Sequence, residues 1–200
     1  NLILDVKKKN IQGVNVTVPF KSIVIPYLDE LSNEAKKTQS VNTIYLKNKK
    51  VVGHNTDIEG FSIAIKKINF NFRNKKILIL GAGGVVPSII YALLNMGCSE
   101  IIISNRTKNK AKKVKKIFNN VQIINWGETP NFDVIINATS LGLKKDDKIN
   151  LDFSKIGKNK LFYDVIYNPD ETNFLNMGKK LGHKFENGKL MFIYQASLAF

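Results

Sequence analysis

The chain has 200 residues, 44% hydrophobic and 24% charged, a globular composition with room for one large domain or two small ones. No window approaches the roughly 18 uninterrupted apolar residues of a membrane-spanning helix, and one cysteine, Cys98, with two histidines excludes an internal disulfide and makes a metal site unexpected. The net charge of +15 raises nucleic acid as a partner, but the 31 basic residues include only two arginines, Arg73 and Arg106. Base-edge readout leans on the arginine fork, so no nucleic-acid role is expected, and the positive field suits a small anionic substrate or a phosphorylated cofactor.

Asn1-Leu2-Ile3-Leu4-Asp5 opens without Met and without a basic-then-apolar leader, so the chain is expected to begin inside a longer protein, in a reducing cytoplasm. Gly13-Val14-Asn15-Val16-Thr17-Val18 alternates apolar and polar, a strand with Asn15 and Thr17 on one face. Pro19 stops it and opens a helix over 21–31. A strand over 41–46, a turn at Asn48-Lys49-Lys50 and Val51-Val52-Gly53 lead to Asn55-Thr56-Asp57, where Asp57 or a neighbour caps a helix to about residue 67.

After the polar connection at 69–74, apolar strands and amphipathic helices alternate: strands at 76–80, 100–104, 121–125, 133–137 and 161–166, and helices at 86–96, 108–118 and 171–181. This pattern predicts an α/β fold with a doubly wound parallel sheet, Rossmann-like, beside a smaller α/β region. The expected division is a substrate domain over 1–68, a dinucleotide domain over 69–182, and a helix in 183–200 that returns to the first domain. The lysine run at 108–116 reads as the wet face of a helix, Cys98 as a buried small apolar residue, His54 as a loop side chain and Trp126 as a packing or loop residue.

Gly81-Ala82-Gly83-Gly84-Val85-Val86 follows a buried strand and opens a helix, the setting in which backbone approaches a pyrophosphate and the helix N-terminus takes its charge. Gly81 and Gly83 fit G-x-G-x-x-G, whereas Val86 holds the third position. The next strand ends in Ser104-Asn105-Arg106-Thr107 without the acid that would accept from an NAD ribose. Arg106, with Lys108 and Lys110 nearby, favours the 2′-phosphate of NADP. Lys21, after Pro19 in the first turn of its expected helix, faces a dipole that disfavours its charge. With Asp57 it could form a proton-moving pair in an interdomain cleft.

These segments, with Ser40-Val41-Asn42-Thr43, Asn137-Ala138-Thr139-Ser140-Leu141-Gly142, Asp164-Val165-Ile166-Tyr167-Asn168-Pro169, Gly188 and Gln195, resemble the shikimate dehydrogenase family over essentially the whole chain. The resemblance implies NADPH-dependent reduction of 3-dehydroshikimate to shikimate, in aromatic amino-acid (chorismate) biosynthesis, by a cytoplasmic monomer or homodimer. It implies Lys21 and Asp57 as the acid–base pair, and Thr17, Asn42, Asp57, Tyr167 and Gln195 around the substrate. For the cofactor it implies Gly81, Ala82, Gly83, Gly84 and Val85 at the pyrophosphate, and Asn105, Arg106, Thr107 and Lys110 at the 2′-phosphate. Thr139, Val165 and Gly188 complete that site. A quinate/shikimate-type enzyme and a non-catalytic NADP-binding regulator are the alternatives, and the retained Lys21 and Asp57 argue against the latter. The family's Ser-x-Ser loop for the substrate carboxylate has no counterpart before Gly13, and its tail beyond the Gln195 helix is missing. The substrate region is therefore expected to be incomplete and the cofactor site complete.

Overall fold

The computed structural model describes residues 2–144 and 146–200; Asn1 and Lys145, which fall within the expected substrate and dinucleotide regions, lie outside the described residues. In the first region, β1 (Gly13–Asn15), β2 (Glu30–Leu31), β3 (Thr43–Lys47) and β4 (Lys50–His54) form a mixed sheet in the order β1-β3-β4-β2. The β3–β4 hairpin turns at Asn48 and Lys49, both at positive φ (50° and 64°), the backbone that matches the strand twist in a two-residue turn. Helices α1 (Leu2–Lys7) and α2 (Asn33–Thr38) bury Val6 and Ala35 in the core of this sheet beside Val41, Ile44 and Val51. Each helix has only six residues, too few for a periodic signal. Ser32 caps α2 by accepting from the Ala35 N–H at 3.2 Å.

The expected helix over 21–31 is absent. One i,i+4 bond, from the Val24 N–H to the Phe20 carbonyl at 3.0 Å, closes a single turn, and a 3-10 turn at Ile25–Tyr27 follows. Pro26 has no N–H to continue an α-helix and disfavours the α conformation at Ile25. The chain then runs out to β2, where the Asp29 N–H donates to the Val51 carbonyl and Asp29 Oδ2 accepts from the Val51 N–H. The helix dipole invoked at Lys21 therefore has no structural basis. The strand expected at 13–18 also ends early, at Asn15, although the Val16 N–H still donates to the Asn42 carbonyl at 2.7 Å.

In the second region, β5 (Lys76–Leu80), β6 (Glu100–Ser104), β7 (Gln122–Ile124), β8 (Val134–Asn137), β9 (Leu161–Asp164) and β10 (Lys184–Glu186) form a fully parallel sheet, order β10-β9-β8-β5-β6-β7. Alternate strand residues bury on opposite faces, Ile77 and Ile79 on one and Leu78 and Leu80 on the other. Both faces are covered, so the inner strands read as nearly unbroken apolar runs. Helices α4 (Val86–Asn95) and α5 (Lys108–Ile117) pack on the first face, and α6 (Asn173–Lys180) on the second. α5 buries Ala111 and Val114 and leaves its lysines in water. The segment 183–200 is more than a helix: β10 extends the parallel sheet before α7 (Lys189–Ala199) begins.

α7 crosses to α3 (Asp57–Lys67), the helix that follows β4. The approach is close, because a Cβ on Gly60 would lie 2.7 Å from Gln195 Cβ and N. Any larger residue there would push α7 away, so Gly60 is what seats Gln195 beside the start of α3.

Candidate active site

The parallel sheet reverses its winding between β5 and β8, and the carboxyl ends of these strands make the crevice in which such folds bind ligands. Gly81 leaves β5 at φ +111°, and a Cβ there would lie 2.7 Å from the Ala138 carbonyl oxygen, so both the backbone angle and the space require glycine. Gly83 is different: a Cβ would meet nothing nearer than the Ala138 oxygen at 3.9 Å. Within the protein nothing demands glycine at that position, and the open room fits the close approach of a pyrophosphate to the backbone.

A cleft of about 700 Å³ runs along this edge. It is bordered by Gly81, Ala82, Gly83, Gly84 and Val85, by Asn105, Arg106, Thr107 and Lys110, and by Thr139, Val165 and Tyr167. The described residues give the exposed Arg106 no partner, which leaves its guanidinium free for an anion. Asn105 Nδ2 donates to the Thr107 carbonyl at 2.8 Å and stiffens this turn. Thr139 borders the cleft with its hydroxyl already engaged, donating to Asn137 Oδ1 at 2.7 Å and accepting from the Leu141 N–H. Tyr167 stacks on Phe192 of α7, with centroids 4.4 Å apart. Gly188 does not border the cleft; it sits behind it, where a Cβ would fall 2.0 Å from the Val165 carbonyl oxygen.

Lys21 and Asp57 lie outside that cleft but beside it. Lys21 Nζ donates to Asp57 Oδ2 at 2.5 Å, and the two residues are only 9% and 4% exposed. Asn42 Nδ2 donates to Asp57 Oδ1 at 3.1 Å, to Thr56 Oγ1 at 2.8 Å and to Gln195 Oε1 at 3.3 Å. Two amide hydrogens are thus shared among three acceptors, and they bind β3, α3 and α7 into one cluster. The Thr56 hydroxyl donates to the Gln195 carbonyl and so does not cap α3; Asn55 Oδ1 accepts the Asp57 N–H instead. Thr17 is exposed just beyond the end of β1, its carbonyl accepting from the Phe20 N–H. The cluster and the cleft meet at Gly84, where an added Cβ would lie 3.6 Å from Lys21 Cβ and Cδ.

Sequence reasoning missed Trp126, which lines the cleft as well as packing against the core below β7. Its signal was positional, since a residue just past the carboxyl end of a parallel strand stands at the ligand edge. It is the chain's one tryptophan. Titration with NADP should therefore quench the protein's fluorescence saturably, with the midpoint that calorimetry gives for binding. A flat signal at calorimetric saturation would put the ligand elsewhere. Of the other readings, His54 is the last residue of β4 and not a loop side chain. Cys98 is half-buried, its thiol donating to the Phe72 carbonyl, and burial pushes its pKa up to about 11, which suits no nucleophile.

A parallel sheet with a glycine turn at its switch point, and a buried Lys–Asp pair against that turn, define a dinucleotide-binding oxidoreductase. Two family models match the chain: shikimate dehydrogenase substrate binding domain over residues 1–44, and shikimate / quinate 5-dehydrogenase over 62–164. The chain is 58% identical to the shikimate dehydrogenase (NADP(+)) of Pelagibacter ubique, over all of this chain and 76% of that protein. Its structure superposes on the shikimate dehydrogenase of Aquifex aeolicus with a TM-score of 0.88 at 38% identity, over 97% of this chain and 72% of that one. The shikimate 5-dehydrogenase of Thermus thermophilus, solved with NADP(H) and shikimate, also scores 0.88, at 30% identity over 100% and 76% of the two chains. The chain belongs to the shikimate dehydrogenase family.

Proposed function

We propose that this chain catalyses the reversible NADPH-dependent reduction of 3-dehydroshikimate to shikimate, a step of aromatic amino-acid synthesis. The observation that carries this reading is the buried 2.5 Å pair of Lys21 and Asp57 set directly against the glycine turn. When bound, NADPH supplies the hydride, chemistry that no side chain can provide. Both Asp57 oxygens accept hydrogen bonds, one from Lys21 and one from Asn42. The carboxylate thereby orients Lys21, whose remaining N–H bonds can donate to the substrate oxygen as its charge develops. Asn42, Gln195, Thr17 and Tyr167 hold the substrate, the first three through neutral groups suited to hydroxyls.

In this reading residues 81–85 take the pyrophosphate and Asn105, Arg106, Thr107 and Lys110 the 2′-phosphate. Thr139 and Val165 border the nicotinamide end, and Gly188 acts from behind by letting the chain press on Val165. Residues 1–68 serve as the substrate domain, 69–182 as the dinucleotide domain and 183–200 as the returning segment, in a cytoplasmic monomer or homodimer. Quinate as a further substrate is the second reading, favoured by the family model over 62–164, which spans both dehydrogenases.

Cofactor choice tests the proposal. The protein should bind NADP in preference to NAD. Arg106→Asp should weaken NADP by about 1–3 kcal/mol, the range for a charge-assisted hydrogen bond lost to repulsion, with NAD little affected. Equal use of the two dinucleotides by the unmodified protein would contradict the assignment of Arg106.

A further inference from the structure

Ser40 stands just before β3, only 1% exposed, with its hydroxyl donating to the Gly84 carbonyl at 2.9 Å. The residue belongs to the first sheet's side of the molecule, and the carbonyl belongs to the glycine turn of the second. Its surroundings hold it firmly. Its own carbonyl accepts from Asn55 Nδ2 at 2.9 Å, and the next residue, Val41, donates its N–H to the Lys21 carbonyl at 2.8 Å. Asn55 reaches across as well, donating to the Ser88 hydroxyl of α4 at 2.9 Å.

The Gly84–Val85 peptide is trans, so its C=O and N–H point in opposite directions. A carbonyl drawn toward Ser40 turns the Val85 N–H away from Ser40. That N–H has no partner among the described residues, and Val85 borders the cleft whereas Ser40 does not. The same bond keeps Gly84 against the Lys21 side chain.

We propose that Ser40 is a positioning residue for the dinucleotide: by holding the Gly84 carbonyl it aims the Val85 N–H at the bound pyrophosphate and keeps the glycine turn in register with Lys21. This rests on the function proposed above and adds a residue to which the motifs assign no role. A free N–H at the start of a helix is a strong anion donor only if it is already oriented, because orienting it on binding would cost affinity.

Calorimetric titrations of the full chain with NADP and with adenosine 2′-monophosphate, which carries the Arg106 end and no pyrophosphate, test the idea. Ser40→Ala should raise the NADP dissociation constant about three- to tenfold, the range for one lost hydrogen bond, and leave the monophosphate unchanged. Ser40→Cys keeps a hydrogen-bond donor, though a weak one on a larger atom, and should fall between the unmodified protein and Ser40→Ala; it serves if the alanine variant does not fold. An NADP constant within twofold of the unmodified protein's in folded Ser40→Ala, or no change at all in Ser40→Cys where the alanine variant does not fold, overturns the proposal, as does equal weakening of both ligands, which would mean general loosening. Failure of the unmodified protein to bind NADP would overturn the cofactor reading itself, a separate outcome.

Discussion

Lys21→Ala should lower kcat for shikimate oxidation by roughly 10²–10⁴-fold, and Asp57→Asn by a similar factor, the range for positioned acid–base groups. The two side chains form one hydrogen-bonded unit, so either change alone disables it. The double variant should therefore fall little below the worse single one. Neither residue borders the cleft, so NADP affinity should survive in both. Charge burial adds a second signature. Removing one partner leaves the other ion in a site of low dielectric, which costs about 3–5 kcal/mol where burial is complete. Lys21→Ala strands the Asp57 carboxylate with only Asn42 and should reduce stability, whereas the double variant, having no ion left, should recover part of the loss. Turnover within a few-fold of the unmodified protein in both single variants would end the assignment of this pair.

Asp164→Asn should change how stability depends on pH. Asp164 closes β9, fully buried, where Oδ1 accepts from Asn137 Nδ2 and the Ile166 N–H at 3.0 Å each and Oδ2 accepts from the Thr172 hydroxyl at 2.6 Å. Burial pushes its pKa up, from the usual 3.8 to about 6, against the lowering effect of these three donors. A raised carboxyl pKa means that the folded protein keeps a proton the unfolded chain has lost. Its contribution to stability is present in full below about pH 4 and is lost as pH rises through about 6. The difference between the unmodified protein and Asp164→Asn should shift by about 3 kcal/mol in favour of the variant across that window, each pKa unit being worth about 1.4 kcal/mol. Denaturant melts of the two proteins at a series of pH values measure it; parallel stability curves would show that Asp164 ionises at its ordinary pH. The carboxyl joins the last residue of β8 to the loop after β9, and that loop borders the cleft, so protonation of the carboxyl acts where Val165 and Tyr167 are held.

The four inner strands of the second sheet, β5, β6, β8 and β9, were legible because they are buried on both faces. Residues 76–80 and 100–104 are short apolar runs between turn signals, and they fold as β5 and β6 with those bounds. The first region was harder. Its outer strands β1 and β2 have three and two residues and no buried one, and the apolar spacing over 21–31 resembled a helix until Pro26 and the pairing of β2 with β4 decided otherwise. β10 has only three residues and no alternation that stands out, so it exists because the edge of β9 offers it a partner.

Sequence alone determined the alternating α/β plan, the glycine turn after a buried strand, the missing acid and available arginine at the end of β6, and the identity of the Lys21 and Asp57 motifs. Those are local patterns, each set by residues within a turn or two of one another. Only the tertiary structure decided that Lys21, 36 residues from Asp57, meets it from a tied turn and not from a helix. It also decided that Gly60 seats Gln195, that Trp126 faces the cleft, and that Ser40 holds the glycine turn. Each of these contacts joins distant segments whose approach depends on sheet register and helix packing, and a one-dimensional pattern does not record which distant backbone a buried hydroxyl or an absent Cβ will meet.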